Sequence, residues 1–162
     1  MERCAVVTVS DRSAAGERED LSGPAIRDVL AAAGYEVHLT VVEDGELPVS
    51  AAIRGALSGG ARLVVTTGGT GIGPRDRTPE ATRGLIEREL LGVAELLRAE
   101  GRTQSKHAAL TRGLVGVTPA TATLPAALIV NLPGSPKAAR QGIEVLLDLL
   151  PHIFDQLDGR DH

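Results

Sequence analysis

The sequence predicts an α/β domain built on a mostly parallel sheet covered on both faces. Three observations carry that expectation. The runs CAVVTVS, LVVTT and AALIVNL are apolar nearly throughout, as strands with helices on both sides are. Between them lie segments whose apolar residues recur at helical spacing. The two kinds of segment alternate along the chain, which is the order of βαβ units. A length of 162 residues suits one domain with a full core, so a single domain over 1–162 is expected.

Residues 4–10 read as the first buried strand, and 11–20 as a polar loop. The next segment has Pro24 near its first turn and Ile26, Val29, Leu30 and Ala33 on one face, and Gly34 supplies a helix stop. Residues 37–42 form a second strand that runs into Glu43, Asp44 and Gly45. A helix beginning at Pro48 places Val49, Ala52, Ile53, Ala56 and Leu57 on one face and closes at Gly59 and Gly60. Leu63–Thr67 is the third strand. Helices are expected over 79–90 and 93–102 with a break at Gly92, then a short edge strand over 114–118 interrupted by Pro119. Residues 127–132 form a further buried strand. Ser135 then caps a helix with Pro136 at its first position, and Pro151 kinks or restarts that helix.

Composition excludes several functions. A net charge of −4 gives no broad basic surface, and Tyr35 and Phe154 are the only aromatic residues, so nucleic-acid binding is not expected. Cys4 is alone and sits in a strand, which makes it a core residue and excludes an intrachain disulfide. His38, His107, His152 and His162 have no ligand spacing, which argues against a structural zinc site. No apolar run reaches the length of a membrane span, and the first residues lack a signal-peptide layout, so a cytoplasmic location is expected.

The most informative stretch is 63–82, LVVTTGGTGIGPRDRTPEAT. A strand enters a turn carrying Gly68, Gly69, Gly71 and Gly73, and a helix starts after it. That is how a chain brings backbone N–H groups close to a phosphate. The loop is neither a Walker loop, since Gly73 is followed by Pro74 and Arg75, nor a dinucleotide fingerprint, since its glycines are spaced G-x-G-x-G. In parallel α/β sheets ligands bind beyond the carboxyl ends of the strands. There the sequence places Ser10, Asp11, Asp20, Ser22 and Gly23, then Asp44, then the Gly loop with Asp76, then Pro133, Gly134 and Ser135. Asp44 and Asp76 are the candidate ligands of a hard cation such as Mg²⁺, which takes carboxylate, water and phosphate oxygens. Each also has a plainer reading: Asp44 as a turn residue, Asp76 as the ion-pair partner of Arg75 or Arg77. Thr78 and Ser135 read first as helix N-caps.

The segments TTGGTGIGPRDRTPEAT, NLPGSPKA, VTVSDR with GEREDLSGP, and VVEDGELP occur in the order and spacing of the MoaB/Mog family of molybdenum-cofactor biosynthesis, which the chain resembles over nearly its whole length. The resemblance implies a three-layer α/β/α sandwich and a homotrimer. It implies a molybdopterin adenylyltransferase that uses Mg²⁺ and ATP to adenylate the terminal phosphate of molybdopterin, releasing pyrophosphate and supplying a molybdate-inserting partner enzyme. Asp44 and Asp76 match the family's functional acidic positions. Ser10, Asp11, Asp20, Ser22, Gly23, Thr67, Gly68, Gly69, Thr70, Gly71, Thr78, Glu95, Thr111, Pro133, Gly134 and Ser135 match substrate- or nucleotide-binding positions. Three departures stand out: Leu91-Gly92-Val93-Ala94-Glu95 where the family often reads P-G-F-G-E, Thr111 where it usually has Ser, and Arg77 where an apolar residue is common. The alternatives are a pterin- or nucleotide-binding relative without strong transferase activity, and an oligomeric scaffold. Intact Asp44 and Asp76 favour catalysis, because a scaffold needs neither.

Overall fold

β1 (Arg3–Val9) lies at the centre of the chain's first half, parallel to both β2 (Glu36–Val42) and β3 (Leu63–Thr67). The structure, a computed structural model, describes residues 1–160; His162 lies outside the described residues. β6 (Leu128–Leu132) continues the parallel array beside β3. β5 (Val115–Val117) runs antiparallel to β6, and β4 (Arg88–Glu89) closes the far edge against β5. The order is β2-β1-β3-β6-β5-β4.

Side chains alternate across this sheet with period two, and each face has its own core. On one face Val6, Leu63, Val65, Leu128 and Val130 pack under α2 (Ser22–Ala32), α5 (Leu91–Gln104), α6 (Pro136–Leu147) and α7 (Leu150–Leu157). On the other, Val7, Val64 and Ile129 pack under α3 (Glu46–Ser58) and α4 (Thr78–Arg83). Ile26, Leu30, Ile53, Ile143 and Leu146 are fully buried in these layers, and each contributes about 1.5–3 kcal/mol of apolar burial. The three-layer α/β/α sandwich is therefore present, with an antiparallel edge on a parallel core.

Several boundaries differ from the sequence reading, each for a local reason. The stretch read as a loop after β1 contains α1 (Asp11–Ala14), a single turn capped by the Ser10 hydroxyl, which accepts from the Ser13 N–H at 3.2 Å. The third helix begins at Glu46, two residues before Pro48. The helix expected over 79–90 stops at Arg83, and Arg88–Glu89 becomes the edge strand. Gly92 is not a break but lies in the first turn of α5. β5 is consequently an interior strand rather than an edge. Thr78 is the first residue of α4, and Arg77 occupies the capping position. Among the described residues no helix is long and apolar enough to cross a membrane.

β1 lies between β2 and β3, and the helices that follow β1 and β2 cover opposite faces of the sheet. The carboxyl ends of β1 and β3 therefore flank the point where the winding reverses, which is where an open α/β sheet leaves a crevice.

Candidate active site

A cavity of about 640 Å³ occupies that crevice. Its floor is the Gly-rich turn after β3. Gly68 and Gly69 have φ of 99° and 66°, which only glycine adopts without strain. A Cβ at Gly68 would lie 2.3 Å from the Val9 carbonyl oxygen, and one at Gly134 would lie 3.2 Å from the Gly68 Cα. The two turns and the end of β1 thus abut through bare backbone. The Thr67 hydroxyl donates to the Pro133 carbonyl at 2.8 Å, and the Thr78 hydroxyl to the Gly68 carbonyl at 2.9 Å. Both residues hold the turn in shape from behind.

The two acidic residues face this floor. The loops after β1 and β2 are joined by a reciprocal pair: the Asp11 N–H donates to Asp44 Oδ2 at 3.0 Å, and the Asp44 N–H to Asp11 Oδ1 at 3.1 Å. Arg75 grips Asp11 with two bonds, 2.6 Å from Nε and 2.9 Å from Nη2, and donates to the Asp44 carbonyl at 3.0 Å. The hydrogen bond from Arg75 holds the Asp11 carboxyl below the usual carboxylate range. Burial, followed by the Asp11 and Asp76 charges, pushes Asp44 up. Asp76 Oδ2 accepts from the Gly73 N–H at 2.9 Å.

The plainer reading of Asp76 as an ion-pair partner is thereby corrected. Arg75 is engaged with Asp11, and Arg77 turns to Glu46 at 3.2 Å and Glu80 at 3.8 Å. Among the described residues no Arg or Lys pairs with the carboxylate of Asp44 or Asp76. The glycines leave room beside both carboxylates: a Cβ at Gly69 would lie 3.4 Å from Asp44 Oδ1, and Cβ atoms at Gly71 and Gly73 would lie 2.8 and 2.9 Å from Asp76 Oδ2. The described residues contain no cluster of three or more acidic, His or Cys side chains able to cage an ion. Two carboxylates over a bare glycine turn suit a hard cation that completes its shell with water and phosphate oxygens.

Of the other sequence candidates, Ser10, Asp20, Ser22, Thr67, Thr70, Gly134 and Ser135 line this cavity with Gly68, Gly69 and Gly71. Asp20 is spoken for by protein groups, accepting from the Thr8 hydroxyl at 2.8 Å and the Gly23 N–H at 3.0 Å at the start of α2. Gly23 lies beneath it, where a Cβ would meet Thr8 Oγ1 at 2.3 Å. Thr111 and Pro133 line a second, largely apolar cavity of about 410 Å³ between α5, the 3-10 turn Lys106–Leu110 and α6, with Leu97, Val115 and Leu132 in its wall. Ser135 lines both cavities, so they adjoin. The Thr111 hydroxyl donates to Thr70 Oγ1 at 3.0 Å, across the partition between them. Glu95 is exposed on α5 and lines neither. The Cys4 thiol, pushed up to about 12 by burial, is inert core.

Sequence reasoning passed over two residues. Arg112 binds the Gly loop from behind. Asn131, buried in β6, donates to Thr66 and Thr82 hydroxyls at 2.9 Å each and accepts from the Leu114 N–H at 3.0 Å, tying together β3, α4 and the residue that leads into β5. The signal for Asn131 was present: an amide inside the apolar run LIVNL requires buried partners.

Comparison with known proteins identifies the family. Residues 5–152 match a family described as a probable molybdopterin binding domain. A molybdopterin adenylyltransferase of Pyrococcus furiosus is 39% identical over 150 residues, covering 92% of this chain and 87% of that protein. A molybdenum cofactor biosynthesis bifunctional protein of Synechococcus elongatus is 40% identical over 97% of this chain, which spans only 48% of that relative's length. The crystal structure of the molybdopterin biosynthesis enzyme MoaB from Thermus thermophilus superposes with a TM-score of 0.87 at 44% identity, covering 99% of this chain and 98% of that one.

Proposed function

The chain belongs to the molybdopterin-binding domain family, and on that premise we propose that it is a molybdopterin adenylyltransferase, joining AMP from ATP to the terminal phosphate of molybdopterin with release of pyrophosphate. The observation that carries this reading is the pair of carboxylates, Asp44 and Asp76, over one glycine turn, neither of them in an ion pair among the described residues. Such a pair has no use in a scaffold, and beside an anionic ligand it needs a cation between them. Asp44 and Asp76 would hold Mg²⁺, which supplies the positive charge that a transferring phosphoryl group needs.

The chain's own contribution is placement. The bare turn lets the polyphosphate come down onto the backbone N–H groups that follow Gly68, whose own N–H is taken by the Leu132 carbonyl at 3.0 Å. The Asp11–Asp44 exchange of hydrogen bonds fixes one carboxylate, and the Gly73 N–H fixes the other. The apolar cavity beside the polar one suits a planar ring system. The two cavities adjoin at Ser135; with one substrate in each, the molybdopterin phosphate would attack the α-phosphorus in line with the departing pyrophosphate. The protein acts in the cytoplasm as a homotrimer and hands its product to a molybdate-inserting enzyme.

The test is pyrophosphate release from Mg-ATP, with and without molybdopterin, in wild type and in the Asp44→Asn and Asp76→Asn variants. Release that depends on molybdopterin and on both carboxylates is expected. Tight binding of molybdopterin without any release would sink the transferase reading.

A further inference from the structure

The loop that carries Asp76 spans residues 68–77 and contains no regular secondary structure. Its own backbone bonds are few: the Asp76 N–H to the Gly73 carbonyl at 3.1 Å, and the Thr78 N–H to the Gly69 carbonyl at 3.1 Å. Four glycines and an exposed Ile72 give it little to pack with. Something outside the loop has to choose its shape.

Arg112 meets it at three points and the helix behind it at a fourth. Its backbone N–H donates to the Thr70 carbonyl at 2.8 Å. Its side chain donates from Nε to the Gly71 carbonyl at 2.8 Å, from Nη2 to the Asp76 carbonyl at 2.8 Å, and from Nη1 to the Glu80 carboxylate at 2.5 Å. One planar guanidinium therefore spans the loop from Gly71 to Asp76 and anchors it to the helix behind. Arg112 is itself held in place: Gly113, where a Cβ would meet the Asn131 carbonyl oxygen at 2.6 Å, seats the segment directly against β6. All three nitrogens of the fork are used within the protein, and Glu80 balances the charge. Arg112 is thus not a free cation for a phosphate.

We propose that Arg112 is the positioning residue for Asp76: by clasping the Gly71 and Asp76 carbonyls it sets where the Asp76 carboxylate stands relative to Asp44. The inference deepens the adenylyltransferase reading and rests on it for the role of Asp76, but the clasp itself is a property of the loop. Lys cannot substitute, because a single ammonium lacks the flat fork that reaches two carbonyls and a carboxylate at once.

The experiment compares wild type, Arg112→Lys and Asp44→Asn by amide hydrogen exchange and by affinity for Mn²⁺-ATP. In Arg112→Lys, exchange at Gly73 and Asp76 should speed up roughly tenfold or more while the sheet amides of Val65 and Val130 keep wild-type rates. Affinity for Mn²⁺-ATP should fall about ten- to a hundredfold, the range for losing a group that orients a metal ligand. Asp44→Asn should lose affinity with loop exchange unchanged. Lost affinity with unchanged loop exchange in Arg112→Lys would overturn the proposal, because the residue would then touch ligand directly. Equal acceleration of the sheet amides would overturn it too, since Arg112 would then support the whole fold. A wild type that binds Mn²⁺-ATP but releases no pyrophosphate defeats the transferase reading and leaves the clasp standing on its exchange data.

Discussion

At the amino end of the sheet Arg62 is 9% exposed and fully occupied: it donates to the Ala126 carbonyl at 2.9 Å and to Asp158 at 2.8 Å, approaches Glu2 at 3.8 Å, and lies 5.6 Å over the Phe154 ring. At the carboxyl end Asp44 and Asp76 are half-buried and meet only backbone N–H groups. The first region is closed: removing any partner leaves a desolvated charge and weakens the fold. The second is open: among the described residues neither carboxylate forms an ion pair, and Arg75, beside Asp44, is engaged with Asp11. A buried charge that the protein satisfies argues for structure. A charge it leaves unsatisfied beside a cavity argues for a ligand.

The largest effect should come from the open end. Asp44→Asn and Asp76→Asn are each expected to lower pyrophosphate release at least about a hundredfold while changing stability by less than about 1 kcal/mol. Steady-state assays beside urea unfolding check both halves. Near-normal turnover in both variants would break the comparison.

The closed end should respond in the opposite way. Arg62→Ala is expected to cost about 2–4 kcal/mol of stability, below the full cost of breaking a buried pair because Asp158 is partly solvated. Its turnover number, measured where the protein is still folded, should stay within about twofold of wild type. A large fall in turnover without loss of stability would mean that the two ends are not independent.

Acid titration sharpens the contrast because the two ends have opposite signs. The hydrogen bond from Arg62 lowers Asp158, so that group's stabilisation is present above the unfolded value of about 3.9 and is lost as pH falls through its folded pKa. Burial raises Asp44, so its contribution is present below about 3.9 and is lost as pH rises through its folded pKa. In metal-free buffer Asp158→Asn should therefore destabilise at neutral pH, and Asp44→Asn should stabilise. Both differences should shrink toward pH 3. Equal signs at neutral pH would contradict the assignment.

The smallest effect concerns Thr111, on the partition between the cavities. Its hydroxyl bonds Thr70, so Thr111→Ser should bind molybdopterin normally and Thr111→Val should lose about 1 kcal/mol of stability or affinity. Calorimetry on the two variants side by side checks this. Equal behaviour would show that the bond between the walls does nothing.

Much of this was legible in the chain. Leu63–Thr67 was read to the residue, because five consecutive apolar or β-branched residues ending at a glycine pair have no other use. Ser135 was read as the cap of α6, and its hydroxyl does accept from the Ala138 N–H at 3.4 Å. α1 was not read, since four residues, three of them polar, carry no periodicity and the turn depends on Ser10 and on Asp11 meeting Asp44 from another loop. Nor was β4, two charged residues that become a strand only because β5 lies beside them. In the site, the acidic residues and glycines declared themselves by type, but their partners did not. Arg75 and Arg77 are adjacent to Asp76 in sequence, yet Arg75 reaches Asp11 and Arg77 reaches the helices at Glu46 and Glu80, and the arginine that fixes Asp76 is 36 residues away.

By itself, then, the sequence determined the alternation of strand and helix, the α/β class, and the residue types gathered at one edge of the sheet. Those follow from burial periodicity and backbone freedom, which are local. Only the tertiary structure decided which cation pairs with which carboxylate, and so which carboxylates remain open. Charges act through space over a few ångströms, and the folded chain, not the order of residues, sets those distances.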